Sequence, residues 1–189
     1  VEGMHMCSAM RGVKKANARM TTSAMLGTFK TNQVTRGEFF AHLERGDSLA
    51  ATRGAIDLPR LRQGGVDLLF FSVWVDEIYA PQRPGEPDRS FARAIALLDA
   101  FDRAMQEHPA AIAPVQSAAQ ARAVIDSGRI AAALGVEGGH AIEDDLDKLE
   151  ELYRRGVRYL TLTWNNSHGW ADAAKEETLK AREEFERST

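Results

Sequence analysis

The sequence predicts an α/β fold with a parallel sheet, amounting to about the first half of a (β/α)8 TIM-type barrel. Three observations carry this reading. The runs Val66–Val75, Arg129–Val136 and Val157–Thr163 are short and dominated by apolar and β-branched residues, as strands of a parallel sheet are. Helical stretches separate them, and strands that alternate with helices pair in parallel through right-handed crossovers. Doubly wound sheets and barrels both satisfy that alternation. No Gly-rich nucleotide loop follows any of the three runs, which disfavours the nucleotide-binding doubly wound form.

Taken in order, residues 1–36 are the least patterned: they hold five of the six methionines and sustain neither period 2 nor period 3.6. Phe39, Phe40 and Leu43 would share one face of a short helix over Gly37–Arg45. Asp57–Gly65 reads as a helical turn stopped by glycines, and Val66–Val75 as a strand buried on both faces. Three prolines make Pro81–Pro87 a loop. Over Ser90–Glu107, Phe91, Ala94, Ile95, Leu98, Phe101 and Met105 fall at helical spacing. Ser117 caps a second helix ending at Asp126, with Ala121, Val124 and Ile125 inward.

Arg129–Val136 is the next buried strand. Asp144 or Asp145 opens a helix with Leu146, Leu149, Leu152 and Tyr153 on its apolar side, and Gly156 takes its C′ position. Val157–Thr163 follows as a strand, and Glu176–Arg187 reads as a charged helix. A complete barrel needs eight strands and typically about 250 residues. The expectation is therefore one incomplete barrel domain over residues 1–189, with 1–36 standing apart from the pattern.

Composition narrows the function classes. The chain is 44% hydrophobic and 27% charged, which fits a packed globule, and its net charge of −3 offers no field to attract nucleic acid or an anionic membrane. Cys7 is the single cysteine, so an internal disulfide is excluded. No stretch approaches the ~20 apolar residues of a membrane span, and the N-terminus carries no secretory apolar core. These readings favour a cytoplasmic setting.

Chemistry concentrates at two strand ends. Glu137 follows a buried strand within Gly135-Val136-Glu137-Gly138-Gly139-His140. Loops at the C-terminal strand ends of parallel α/β folds form their active sites, and a carboxylate there can bind a cation, act as a general base, or simply close a tight turn. The next strand ends in Thr163-Trp164-Asn165-Asn166-Ser167-His168-Gly169-Trp170-Ala171-Asp172. That density of indole, amide, imidazole and carboxylate suits either substrate binding or a packed rim.

These segments resemble one family. Gly-Val-Glu-Gly-Gly-His-Ala-Ile at 135–142, Leu-Tyr-x-x-Gly-Val-Arg-Tyr-Leu-Thr-Leu-Thr at 152–163 and Asn-x-x-x-Trp-Ala-Asp at 166–172 are similar to the membrane (renal) dipeptidase family. Asp57-Leu58-Pro59-Arg60-Leu61-Arg62-Gln63-Gly64-Gly65-Val66 resembles it too, so the likeness runs collinearly over about residues 37–174. The resemblance implies a (β/α)8 barrel, a binuclear zinc centre and dipeptide substrates, with Glu137 in the place of the carboxylate that bridges the metals. It implies a structural role for His140, and Trp164 stands where many members have a substrate-contacting histidine; Asn165 and His168, in the same polar loop, are further candidates for substrate contact. A different, amidase-type metal-dependent barrel fits the Glu-Gly-Gly-His and Trp-Ala-Asp pair less well.

The chain also departs from that pattern. Where family members open with Asp-Gly-His-Asn-Asp, this sequence has Val1-Glu2-Gly3-Met4-His5-Met6, so methionines take the ligand places and His5 becomes a zinc ligand only after a register shift. Methionine thioether is a poor zinc ligand. The two later histidine ligands of the family have no counterpart here. On this count the chain is expected to be a truncated, inactive dipeptidase; the alternative is a non-catalytic half-barrel that pairs with a second copy to cover its sheet edge.

Overall fold

The computed structural model describes residues 47–52, 56–174 and 187. The expectations for residues 1–36, for a helix over 37–45, for His5 and for most of the helix over 176–187 lie outside the described residues.

Asp57 caps the first helix, α1 (Leu58–Gln63): its carboxylate accepts the Arg60 amide at 2.9 Å, while Pro59 sits in the first turn, where no amide donor is needed. After Gly64 and Gly65 the chain extends into β1 (Leu68–Trp74). Helix α2 (Ser90–Glu107) leads to a short strand, β2 (Ile112–Pro114), and then to α3 (Ala118–Asp126), capped as expected by Ser117, whose hydroxyl accepts the Gln120 amide. Next come β3 (Ile130–Glu137), α4 (Leu146–Arg154) with Asp145 as its cap, and β4 (Val157–Leu160). None of the described helices is long and apolar enough to cross a membrane.

All pairings are parallel and β3 is central. β1 runs along one edge of β3 from Leu68↔Ala131 to Trp74↔Glu137. The other edge is shared: β2 pairs with its start, Ile112↔Ile130 to Pro114↔Ala132, and β4 with its end, Leu134↔Val157 to Val136↔Leu160. With the three-residue β2 set aside, the strands lie in the order β1, β3, β4, which is the order of the sequence and the arc that a partial barrel requires.

The two faces of this arc differ. Leu69, Phe71 and Val73 of β1 and Ala132, Leu134 and Val136 of β3 are buried in one core with Leu97, Leu98, Phe101 and Met105 of α2. Phe71 and Phe101 meet edge to face at 5.2 Å. On the opposite face Ala131 and Ala133 pack with Val115 and with Ala121 and Val124 of α3, and Leu68 and Phe70 lean on this smaller cluster. β1 was expected to be buried on both faces. Its residues instead alternate, with Leu68, Phe70, Ser72 and Trp74 half-buried, because α2 and the main core cover one side while only the smaller cluster with α3 lies on the other. β3 is buried on both sides up to Val136.

Helix α4 corrects a second expectation. Leu149 and Leu152 face the core, but Leu146 is 74% exposed and Tyr153 52% exposed. Leu146 sits in the first turn, away from the sheet, and the Tyr153 ring carries the Arg158 guanidinium 4.2 Å above it. Arg155, just past the helix, donates to Asp99 and Asp102 of α2 at 2.8 Å each and ties the two helices together.

Candidate functional site at the strand ends

The C-terminal ends of β1, β3 and β4 converge on Glu137. It is the last residue of β3, on the same face as Ala131, Ala133 and Gly135, and lies beside Trp74 in the register. The Ser72 hydroxyl donates to Glu137 Oε2 at 3.3 Å. The backbone on either side of Glu137 is pinned to one residue: Thr161 N donates to the Val136 carbonyl at 3.0 Å, and Gly138 N donates to Thr161 Oγ1 at 2.7 Å. These bonds fix the direction in which the carboxylate leaves the sheet.

The turn after Glu137 depends on its glycines. Gly138 has φ 110°, a region L-residues rarely adopt, and a Cβ there would come within 2.5 Å of the His140 ring. A Cβ on Gly135 would overlap the Tyr159 ring, which lies across the inner face of β3 and contacts Phe70 at 5.6 Å. His140 follows in a 3-10 turn over Gly139–Ile142 and is only 3% exposed. Its Nε2 lies 3.1 Å from the Val75 carbonyl, which requires the proton on Nε2 and leaves Nδ1 bare. Burial lowers the His140 pKa against the opposing pull of that carbonyl. The ring is a neutral strut joining the end of β1 to the Glu137 turn.

Past this turn, Glu143 and Asp144 adopt left-handed backbone at φ 52° and 58°. The Glu143 carboxylate accepts the Phe91 amide at 2.8 Å, in the first turn of α2, and pairs with Lys148. Burial alone would raise its pKa, but the bonds from Lys148 and the Phe91 amide outweigh that and hold it below the usual carboxylate range.

Trp164 is half-buried and packs edge to face on Trp74 at 5.3 Å, which brings it to the rim beside Glu137. Asn165 is half-buried in the adjoining loop. His168 is folded into that loop: its side chain is 7% exposed, its Nε2 donates to the Leu162 carbonyl at 2.7 Å, and its ring packs on Trp170 at 4.3 Å. Asp144 lies 3.7 Å from its Nδ1. The geometry therefore gathers Glu137 and Trp164 and adds Ser72, Trp74 and Thr161, which the sequence reading did not single out. Ser72 is the one hydroxyl within the apolar run Leu68–Trp74, a signal that was available.

Among the described residues no group of three His, Cys, Asp or Glu side chains is placed to hold a metal ion. A zinc site needs four ligands, or three and a water. The described residues thus fit one carboxylate ligand of such a centre and not a complete one.

Comparisons with known proteins point to one family. The model of the membrane dipeptidase family (peptidase family M19) matches residues 14–188. Dipeptidase ataJ of Aspergillus terreus is 31% identical over 143 residues, covering 75% of this chain and 35% of that protein. Dipeptidase 3 of Mus musculus is 33% identical over 123 residues, covering 65% of this chain and 23% of that protein. The chain thus spans about a third or less of the curated relatives it matches. Among solved structures, a metallo peptidase from Rhodobacter sphaeroides liganded with a phosphinate mimic of the dipeptide L-Ala-D-Ala is similar with a TM-score of 0.56 and 23% identity, over 67% of this chain and 43% of that one. The probable dipeptidase PvdM from Pseudomonas aeruginosa is similar with a TM-score of 0.58 and 17% identity, over 75% of this chain and 40% of that one. These likenesses establish the shared fold, and with the family match they lead to one conclusion: the chain belongs to the membrane dipeptidase family, peptidase family M19.

Proposed function

We propose that the protein serves the hydrolysis of dipeptides at a metal centre, zinc by family resemblance, to which Glu137 contributes a bridging carboxylate. One observation carries the reading. Glu137 is the last inward residue of β3, at the strand end where barrel enzymes keep their chemistry, and its carboxylate is oriented by Ser72 within a Gly-Gly turn. A carboxylate held in this way meets a ligand without the entropy loss of ordering a free side chain. When bound, the metals supply an activated water and polarise the scissile carbonyl. The chain's own residues orient Glu137 through Ser72 and Thr161, and line the rim with Trp74 and Trp164.

The described residues gather no further ligands for such a centre. We propose that the 189-residue chain by itself is inactive. Zinc content by elemental analysis and turnover of a simple dipeptide test both parts. The expected result is no turnover with added zinc, and weak zinc uptake that falls in Glu137→Gln. Turnover that disappears in Glu137→Gln would sink the proposal of inactivity. Zinc uptake unchanged by the substitution would sink the ligand assignment.

A further inference from the structure

Helix α4 carries an apolar stripe on its outer side. Leu146 and Tyr153 are two of the five large hydrophobic side chains left exposed among the described residues. A single exposed leucine needs no explanation. These two stand seven residues apart, two helical turns, so they share one face about 10 Å apart along the axis. Leu149 and Leu152 of the same helix already serve the core, so the stripe is a second apolar surface. The Arg158 guanidinium lies over the Tyr153 ring, and Leu146 is open. Charge is divided along the same side. Exposed Asp147 follows Leu146 in the first turn, and exposed Arg154 follows Tyr153 in the last. The stripe is thus apolar and acidic at its start, apolar and basic at its end.

Such a stripe complements itself when turned end for end. We propose that two copies of this chain pair through α4, antiparallel about a two-fold axis, with Leu146 of each packing on Tyr153 of the other and Asp147 of each facing Arg154 of the other. Every contact then occurs twice, as an isologous interface requires. A parallel arrangement would instead set like charges together at both ends. Arg154 already bonds Glu150 and Glu151 of its own helix, but these are exposed pairs, weakly held and easily shared. The axis passes near Glu150, so the two Glu150 carboxylates approach each other; Arg154 beside each, at 3.7 Å, offsets that repulsion. This pairing leaves the free edge of the sheet untouched and is independent of the dipeptide reading. One helix of 9 residues gives a small contact, in the weak and transient class, with a Kd of about 10–100 μM.

The test is sedimentation equilibrium of the whole chain over a concentration series that spans this range. The parent is expected to show a monomer–dimer equilibrium. Leu146→Glu and Tyr153→Glu are each expected to weaken it at least about tenfold, as truncating a central apolar contact does. Asp147→Arg and Arg154→Asp are each expected to weaken it severalfold, because each makes the facing charges alike. An equimolar mixture of those two proteins is expected to regain the parent's association, since each then offers the charges the other lacks. All four side chains are exposed, so the substitutions leave the core intact, and far-ultraviolet circular dichroism checks that each variant keeps the parent's fold. A parent that stays monomeric throughout would overturn the proposal. So would a dimer indifferent to the four substitutions, or a mixture that associates no better than its components.

Discussion

Gly139→Ala isolates the fit between the Glu137 turn and the loop that follows β4. The backbone of Gly139 lies outside the left-handed region, so alanine faces no conformational barrier there. Space is the difficulty. A Cβ would sit 2.7 and 2.8 Å from two carbons of the Trp170 ring, and nearer still to the Leu162 carbonyl oxygen. Carbon atoms pack at about 3.5–4.0 Å, so the ring must retreat by about 1 Å, and the backbone oxygen cannot rotate out of the way. Overpacking of this kind costs typically about 1–3 kcal/mol, and contact with backbone argues for the upper end. For a chain of this length that lowers Tm by about 6–12 °C. Gly65→Ala is the control with the opposite problem: φ is 64° with nothing within 4 Å of its Cβ, so only the left-handed penalty of about 1 kcal/mol applies, or about 2–4 °C. Thermal unfolding followed by far-ultraviolet circular dichroism measures both, and near-ultraviolet dichroism reports Trp170. A Gly139→Ala protein melting within 1 or 2 °C of the parent, or above Gly65→Ala, would refute the steric argument.

Three further outcomes follow from the packing and the charges. Phe101→Ala removes a fully buried ring and its edge contact with Phe71, and is expected to cost about 3–5 kcal/mol in urea unfolding; a loss under about 1 kcal/mol would show that this core is not tightly packed. Burial depresses the His140 pKa in the fold, so between the folded and unfolded values the unfolded chain binds more protons. Stability is therefore expected to be whole above about pH 6.5 and to fall as the pH drops below it, with His140→Gln flattening that slope; an unchanged slope would disprove the assignment. Glu143 is also depressed, by Lys148 and the Phe91 amide against its burial, so its contribution is present above the ordinary glutamate range and lost as the pH falls through its folded value. Glu143→Gln should lower stability at neutral pH more than at acid pH, and equal losses at both would contradict this.

Much of the arc was legible in the sequence because its signals are local. Asp57, Ser117 and Asp145 cap helices through their own side chains, and each lies beside the run it starts. β2 was missed because Ile112–Pro114 is too short to display any alternation. β4 ends at Leu160 instead of Thr163, since beyond it the Gly138 amide bonds the Thr161 hydroxyl and not a backbone carbonyl of the next strand. Glu137 could be singled out from the glycines after it. Ser72 and Trp74 could not be joined to it, because the register that makes them neighbours spans 65 residues from Ser72 to Glu137 and is set by how two strands dock. The same limit applies to His168, whose hydrogen bond to the Leu162 carbonyl belongs to a loop fold that spacing does not encode.

The central place of β3 bears on how the chain assembles. Its pairing with β2 joins Ile112 to Ile130 and its pairing with β4 joins Leu134 to Val157, closures of 18 and 23 residues, whereas β1 reaches it across the 63 residues from Leu68 to Ala131. Closing the longer loop costs about 1 kcal/mol more in chain entropy than closing the shortest. On loop entropy alone, the segment from Ile112 to Leu160 pairs first and β1 with α2 docks afterwards. Glu137 takes its final surroundings only in that last step, when Ser72 and Trp74 arrive with β1. The candidate site is in this sense the last part of the sheet to be completed.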